Sequence, residues 1–423
     1  MKNLYFKNTI IKKINDFLFP FYKSKNIKTI FNILEKGEPK NKVVAMFVGG
    51  CVRKYLLHEK IDDIDIATIF SPEEIKEKFK NTKIKVIDTG IKHGTVTLLI
   101  ENSKFEVTTL RNDIKSDGRH AEISFTDSWK EDSNRRDFTI NAIYLDRKGK
   151  IYDPQLGVID LKKREVKFIG DSNQRLEEDY LRIIRFLRFA IQYDSVTDQE
   201  TIQSLKINLA GIKKLSKERI LDELYKILRL NNFSNILKHQ NKKNIFSLIF
   251  PELKHLDRID KINLLPDLKI FNIDSNIILA TLLIDETNNH EYFCHKYKLS
   301  NFARDELNFF AKNYLLFEND NDYFKKNLKK NIYFFGKAKV KNFAIFIFLI
   351  KKKLNQKDLM SNLQAIDKIS IPKFPYNGEF LFKKGFKEGK KIGLILKELE
   401  IKWIENNYFL SDENVNTIIS KTK

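Results

Sequence analysis

The spacing of apolar residues changes once along the chain, near Gly170. Before that point they come in short runs or alternate with polar residues, as strands do. Val43–Val48 predicts a buried strand. Ile61–Ala67, Ile84–Ile87, Thr95–Ile100, Phe105–Leu110 and Glu165–Ile169 predict others, with Glu101–Lys104 as a hairpin turn. Two helices interrupt them. One is Cys51–Leu57; the other starts at Ser71, a capping residue followed by Pro72, Glu73 and Glu74 in the first turn. Residues 1–40 predict one or two amphipathic helices, broken near Pro20 and ended by Gly37–Pro39. Asn112–Thr126 is polar around Gly118 and predicts a mobile loop; Tyr152–Gly157 predicts a turn. From Leu176 onward the period is helical, through Arg175–Ala190, Leu215–Leu230 with its cap at Ser216, and residues 231–370. The pattern is that of an α+β chain, a small mixed sheet with helices followed by an all-α remainder.

Composition narrows the class. A chain of 423 residues has room for about two to four domains. No run of apolar residues is long enough to span a bilayer. The N-terminus spreads its charges and lacks a small-residue cleavage site, so no signal peptide is expected. Cys51 and Cys294 are the only cysteines and make no metal-ligand spacing, which excludes a disulfide framework and points to a reducing cytoplasm. The formal charge of +21 suggests a polyanionic partner, although heavy use of Lys, Asn, Ile and Phe makes part of it compositional. Arginine is more telling. Ten of the fifteen arginines lie between Arg111 and Arg188, where a planar guanidinium fork has work that lysine cannot do. Nothing in the pattern sets an oligomeric state.

The candidate chemistry begins at FVGGCVRKYLLHEKIDDIDIAT. A strand, then Gly49 and Gly50, then a helix start makes a phosphate cradle, because the backbone can approach an anion with its N–H groups forward. Arg53 adds a charged fork in the first turn. On the strand that follows, Asp63 and Asp65 share one face and Ile64 and Ile66 the other. Two carboxylates beside an anion cradle suit a divalent metal on a nucleoside triphosphate. Glu106 is a candidate third carboxylate or an ordinary surface residue of its hairpin. In DSNRRDFTINA, one of the two arginines, Arg135 or Arg136, is placed to take triphosphate oxygens and Asp137 a ribose hydroxyl. In RLEEDYLRIIRFLRFA, Glu178, Asp179, Arg182, Arg185 and Arg188 fall on one face of a predicted helix beside Leu181, Ile184 and Leu187. Asp179 with Arg182 is also the spacing of a plain surface salt bridge. Three successive arginines repel one another and argue for an anionic ligand. Residues 378–396, GEFLFKKGFKEGKKIGLIL, offer either a backbone-and-lysine phosphate contact or close helix packing.

In order, FVGGCVR…DIDIAT, HGTVTLLI…FEVTTLR, RRDFTINA, EEDYLRIIRFLRF and ERILDEL resemble the class II tRNA nucleotidyltransferases, the CCA-adding enzymes, and the related bacterial poly(A) polymerases. The resemblance covers about residues 43–230. It implies a DNA polymerase β-like nucleotidyltransferase head over residues 1–170, a helical neck with a base-recognition helix over 171–235, and an elongated, RNA-binding helical body and tail over 236–423. It further implies Mg²⁺ on Asp63 and Asp65, and an incoming nucleotide against Gly50, Arg53, Arg136, Asp179, Arg182, Arg185 and Arg188. Lys54 and Leu57-His58 depart from the common pattern, which bears on local loop shape. The implied activity is addition of CCA to the tRNA 3′ end from CTP and ATP; poly(A) synthesis, or RNA binding by an inactive relative, are the alternatives. The stretch from Thr109 to Trp129 resembles the flexible-loop region of the CCA-adding enzymes. In such an enzyme the protein itself must read the base. An acceptor beside a donor fork, Asp179 with Arg182, meets the edges of C and A and rejects the carbonyls of G and U.

Overall fold

The computed structural model describes residues 20–116, 121–265, 273–319, 322–387 and 389–422. The chain divides into two compact units, one of residues 1–254 with 296–298, the other of residues 255–295 with 299–423. The expected boundaries at 170 and 235 both fall inside the first unit.

That unit is built on a seven-stranded sheet. Its strands are β1 (Ala45–Val48), β2 (Asp65–Thr68), β3 (Lys85–Gly90), β4 (Thr95–Ile100), β5 (Ser103–Thr109), β8 (Tyr144–Leu145) and β9 (Ile151–Tyr152), in the order β3-β4-β5-β2-β1-β8-β9. Only β2 and β5 run parallel, with Asp65 opposite Glu106. All four residues of β1 are buried, which is why it reads as one unbroken apolar run and lies inside the sheet. The helix Pro72–Phe79 starts at the expected Ser71 cap, which forms a capping box with Glu74.

Three expectations are corrected. The strand predicted over Ile61–Ala67 starts only at Asp65, because its partner β5 takes up the ladder there; Asp62 is drawn outward by Lys54 at 3.0 Å. Glu165–Ile169 is not a strand. It meets the chain at one bridge, Phe138 with Phe168, fixed by Thr139 N–H to the Lys167 carbonyl at 3.0 Å. Asn112–Thr126 is not a loop throughout, since β6 (Arg111–Ser116) and β7 (Ala121–Phe125) pair antiparallel as a separate ribbon. Polar side chains do not prevent backbone pairing. Gly118 lies outside the described residues, as do residues 1–19 of the predicted N-terminal helices.

Helices complete the unit. Ser172–Glu178 and Leu181–Gln192 replace the single helix predicted from Arg175 to Ala190, and Lys217–Leu228 packs beside the second. The rings of Phe138, Phe168, Phe186 and Phe189 lie 5.1–6.0 Å apart and join the sheet side to Leu181–Gln192. The second unit is helical, as expected. Ser275–Leu283 is buried at every position, and Leu328–Ile350 bends at Gly336, whose φ of 79° is not helical. Leu381, Ile395, Leu399 and Trp403 form a core of their own near the C-terminus, while a Cβ at Gly385, Gly389 or Gly393 would meet nothing within 4 Å, so these glycines are not there for close helix packing.

The backbone comes very close at Gly157, where a Cβ would fall 2.1 Å from the Thr139 carbonyl oxygen and 2.9 Å from Ile143. Gly157→Ala should lower stability by about 1–3 kcal/mol, read as a drop in the midpoint of thermal unfolding. An unchanged midpoint would show that the backbone around Thr139 yields freely.

Candidate active site

The site is assembled where β1 ends, β2 begins and β5 passes alongside. Gly49 follows β1 with φ 73°, a conformation that favours glycine, and a Cβ there would stand 3.6 Å from Asp65 Oδ2. The glycine turn therefore lies against the carboxylate. Gly50 opens the short helix Gly50–Leu56. Cys51 ties the two segments together, its thiol donating to the Val48 carbonyl at 3.3 Å and to that of Asp65 at 3.7 Å. Burial pushes that thiol up to about 12, so it stays protonated.

Asp65 and Glu106 share a cleft of about 360 Å³ with Thr95, Arg111, Arg135 and Arg136. Burial raises the Asp65 carboxyl, and the neighbouring Glu106 and Asp63 add to this against Arg136 and Arg53, bringing it to about 6. Asp63 precedes the strand and is exposed. Among the described residues, no three His, Cys, Asp or Glu side chains gather as a closed metal cage. Mg²⁺ needs less, since it keeps several waters and takes one or two carboxylates plus substrate phosphates. A half-buried acid crowded by two others is the setting a hard cation relieves, and the donor set fits one.

Behind the cleft, one buried carboxylate holds both arginines of the RRD stretch. Asp132, 1% exposed, accepts from Arg135 at 2.6 and 2.9 Å, from Arg136 at 2.9 and 3.1 Å and from Tyr144 Oη at 2.7 Å. Burial opposes its ionisation, but the two guanidiniums hold it well below the usual carboxylate range.

Asp137, expected against a ribose hydroxyl, has its carboxylate engaged within the protein. It is buried and accepts from Asn141 Nδ2 at 2.7 Å, from the Phe138 N–H at 2.9 Å and from Arg185 Nε at 2.8 Å, with Arg185 Nη2 paired to it at 2.6 Å. Arg53 is also buried. It donates to Tyr193 Oη at 3.1 Å and to Asn141 Oδ1, and stands 4.8 Å over the Phe189 ring.

The arginine ladder is real, but its charges are already matched. Arg182 donates to Glu178, Arg185 to Asp137, and Arg188 to Glu223 at 2.7 Å. Glu223, 1% exposed, comes from the helix Lys217–Leu228. The repulsion expected among the arginines is answered by carboxylates of three other elements. Asp179 and Arg182 do not lie on one helix: Asp179 ends Ser172–Glu178 with extended backbone, and its carboxylate accepts from Arg219 at 2.7 Å. Asp132, Asn141, Tyr193, Arg219 and Glu223 are site residues that the sequence reading missed. The isolated acid just before the arginine pair, and the acid-base pattern of ERILDEL, were the signals available for three of them.

A mixed sheet that sets paired carboxylates beside a glycine turn and a bank of arginines defines a nucleotidyltransferase. Residues 45–167 match the family model described as the poly A polymerase head domain, and residues 197–256 the one described as the probable RNA and SrmB-binding site of polymerase A. The mitochondrial CCA tRNA nucleotidyltransferase 1 of Danio rerio is 31% identical over 397 residues, covering 90% of this chain and 88% of the relative. The CCA-adding enzyme of Staphylococcus haemolyticus is 33% identical over 391 residues, covering 88% and 92%. In fold the chain is similar to the Bacillus stearothermophilus CCA-adding enzyme solved in complex with CTP, with a TM-score of 0.66 at 22% identity over 89% of this chain and 93% of that one. The chain belongs to the CCA-adding tRNA nucleotidyltransferase family.

Asp137 sets a dependence on pH. Burial alone would raise its carboxyl, but Arg185 and Asn141 hold it at about 2. A depressed value adds stability that is complete above the unfolded pKa near 4 and lost as pH falls toward 2. Asp137→Asn should therefore cost about 2 kcal/mol at neutral pH, and its gap to the wild type should close below pH 4. Parallel melting curves across that range would show that the carboxylate is not the stabilising group.

Proposed function

We propose that this protein completes the 3′ end of tRNA, adding C, C and A from CTP and ATP with release of pyrophosphate. The observation that carries the reading is the cleft in which Asp65 and Glu106 face Arg135 and Arg136 beside the Gly49 turn. The relatives' names supply the substrate class. In each step the 3′-hydroxyl oxygen of the RNA bonds to the α-phosphorus, the bond to the β-phosphate breaks, and the hydroxyl proton is lost. Such transfers depend on positioning and electrostatics. We assign Asp63 and Asp65 as the carboxylates that hold Mg²⁺, with Glu106 as the third acid of the set. Bound there, Mg²⁺ would favour the 3′ alkoxide and offset charge on the triphosphate.

The chain's own groups do the rest. Gly49 and Gly50 let the backbone approach the phosphates, and Arg136, fixed by Asp132 and Tyr144, offers them a guanidinium that does not need to be ordered on binding. Arg53, Arg185 and Arg188, tied to Asn141, Asp137 and Glu223, form the firm wall behind the nucleotide. Asp179 and Arg182 read the base edge. The lysine-rich helices after residue 235 would hold the RNA by phosphates and shape, so affinity would fall steeply with salt. No helix among the described residues is long and apolar enough to cross a membrane, and Cys51 and Cys294 are free thiols. A reducing compartment suits both, with the cytoplasm the simplest, although the zebrafish relative bears a mitochondrial name.

Incubating the protein with tRNA ends lacking CCA, CA or A, and with labelled nucleotides, tests the reading. Exact completion of each end is expected; a long run of A from ATP alone would mean a poly(A) polymerase, and no incorporation a binding protein. In the same assay Asp63→Ala and Asp65→Ala should each lower turnover by at least about a hundredfold while tRNA binding persists. Asp62→Ala should be mild, since Asp62 is turned toward Lys54. Near-normal turnover without either Asp63 or Asp65 would remove the metal assignment.

A further inference from the structure

Asp179 and Arg182 do not face each other as a ready pair. Asp179 Oδ2 accepts from Arg219 Nη2 at 2.7 Å, while Arg182 donates to Glu178. Arg219 stands in the first turn of the helix Lys217–Leu228, which the head does not contain. The other carboxylate oxygen of Asp179 accepts from the Leu181 N–H at 3.1 Å. Both oxygens are thus engaged, one by a guanidinium and one by a backbone N–H. The backbone around them is fixed. The ring of Tyr180 lies on Gly211, where a Cβ would fall 2.1 Å from it, and Lys214 stands 5.4 Å over the same ring.

We infer that Arg219 is a specificity-determining positioning residue, which holds the Asp179 carboxylate in one orientation as a pure acceptor for the amino group of cytosine or adenine. The inference rests on Asp179 being the base reader. An acceptor so held sets its lone pairs against the carbonyl of uracil or guanine. Without Arg219 the carboxylate gains freedom to rotate, and the cost of admitting the wrong carbonyl falls.

The test measures kcat/KM for CTP and for UTP on tRNA lacking CCA, with melting temperature and tRNA affinity alongside. The proteins are the wild type, Arg219→Ala, Arg219→Lys and Asp179→Asn. Arg219→Ala should lower the CTP-to-UTP ratio about tenfold, as expected for one charge-assisted hydrogen bond, with tRNA affinity unchanged. Arg219→Lys, which keeps the charge, should restore most of the ratio. A purely structural Arg219 would lower stability or the rates with both nucleotides and leave their ratio alone. If Asp179→Asn loses discrimination and Arg219→Ala keeps it, the inference falls while Asp179 stands as the reader. If Asp179→Asn also keeps it, the base-reader assignment falls and the inference with it. Should Arg219→Ala not fold, Arg219→Gln decides the same question.

Discussion

Arg185 reaches from the helix Leu181–Gln192 to Asp137, two residues past the first arginine of the RRD stretch, and makes a hydrogen bond and an ion pair there. This contact ties the helical part of the first unit to its sheet. Asp137 also accepts from Asn141, and Asn141 accepts from Arg53, so a single chain of polar contacts runs from the helix to the glycine turn. Apolar rings alone could hold the two parts together with the helix slightly rotated. Charges cannot, because a guanidinium drawn away from a buried carboxylate leaves both without compensation. The Phe138, Phe168, Phe186 and Phe189 cluster supplies cohesion; the Arg185–Asp137 pair supplies the angle.

The same need explains why every arginine of the ladder has an acid from another element. Arg182, Arg185 and Arg188 draw on Glu178, Asp137 and Glu223. Side chains held in this way lose little further freedom when a ligand arrives. The cost is that such a network must be satisfied at every member, since a half-matched buried charge destabilises more than an apolar substitute would.

Period and turn chemistry were legible in the sequence. The strands at residues 45–48, 95–100 and 103–109, the Ser71 cap and the helical remainder all follow from spacing, and the glycine turn with Asp65 and Glu106 from residue type and order. What could not be read was pairing between distant elements. Nothing local marks Glu223 as the partner of Arg188, thirty-five residues away, or Arg219 as the partner of Asp179, forty away. The break at Asp179–Tyr180 was hidden for a related reason. The helical period runs through it without Pro or Gly, and at the break Asp179 is extended with its carboxylate accepting from the Leu181 N–H, while Tyr180 packs on Gly211. The ribbon of β6 and β7 was missed because strand pairing there rests on the backbone, while the expectation rested on side chains.

Charge around the cleft is divided rather than balanced. On one side Asp132 serves two guanidiniums, so a single negative charge answers two positive ones and the excess faces outward beside Arg111. On the other, Asp65 and Glu106 stand opposite each other in register with Asp63 nearby, and burial with mutual repulsion holds the Asp65 carboxyl near 6. A simple anion would satisfy the arginines and worsen the carboxylates. A simple cation would do the reverse. A ligand that brings negative charge to one bank and positive charge to the other relieves both, and a nucleoside triphosphate carrying a divalent metal is such a ligand. The split field is thus a physical reason for the proposed substrate that stands apart from any likeness between sequences.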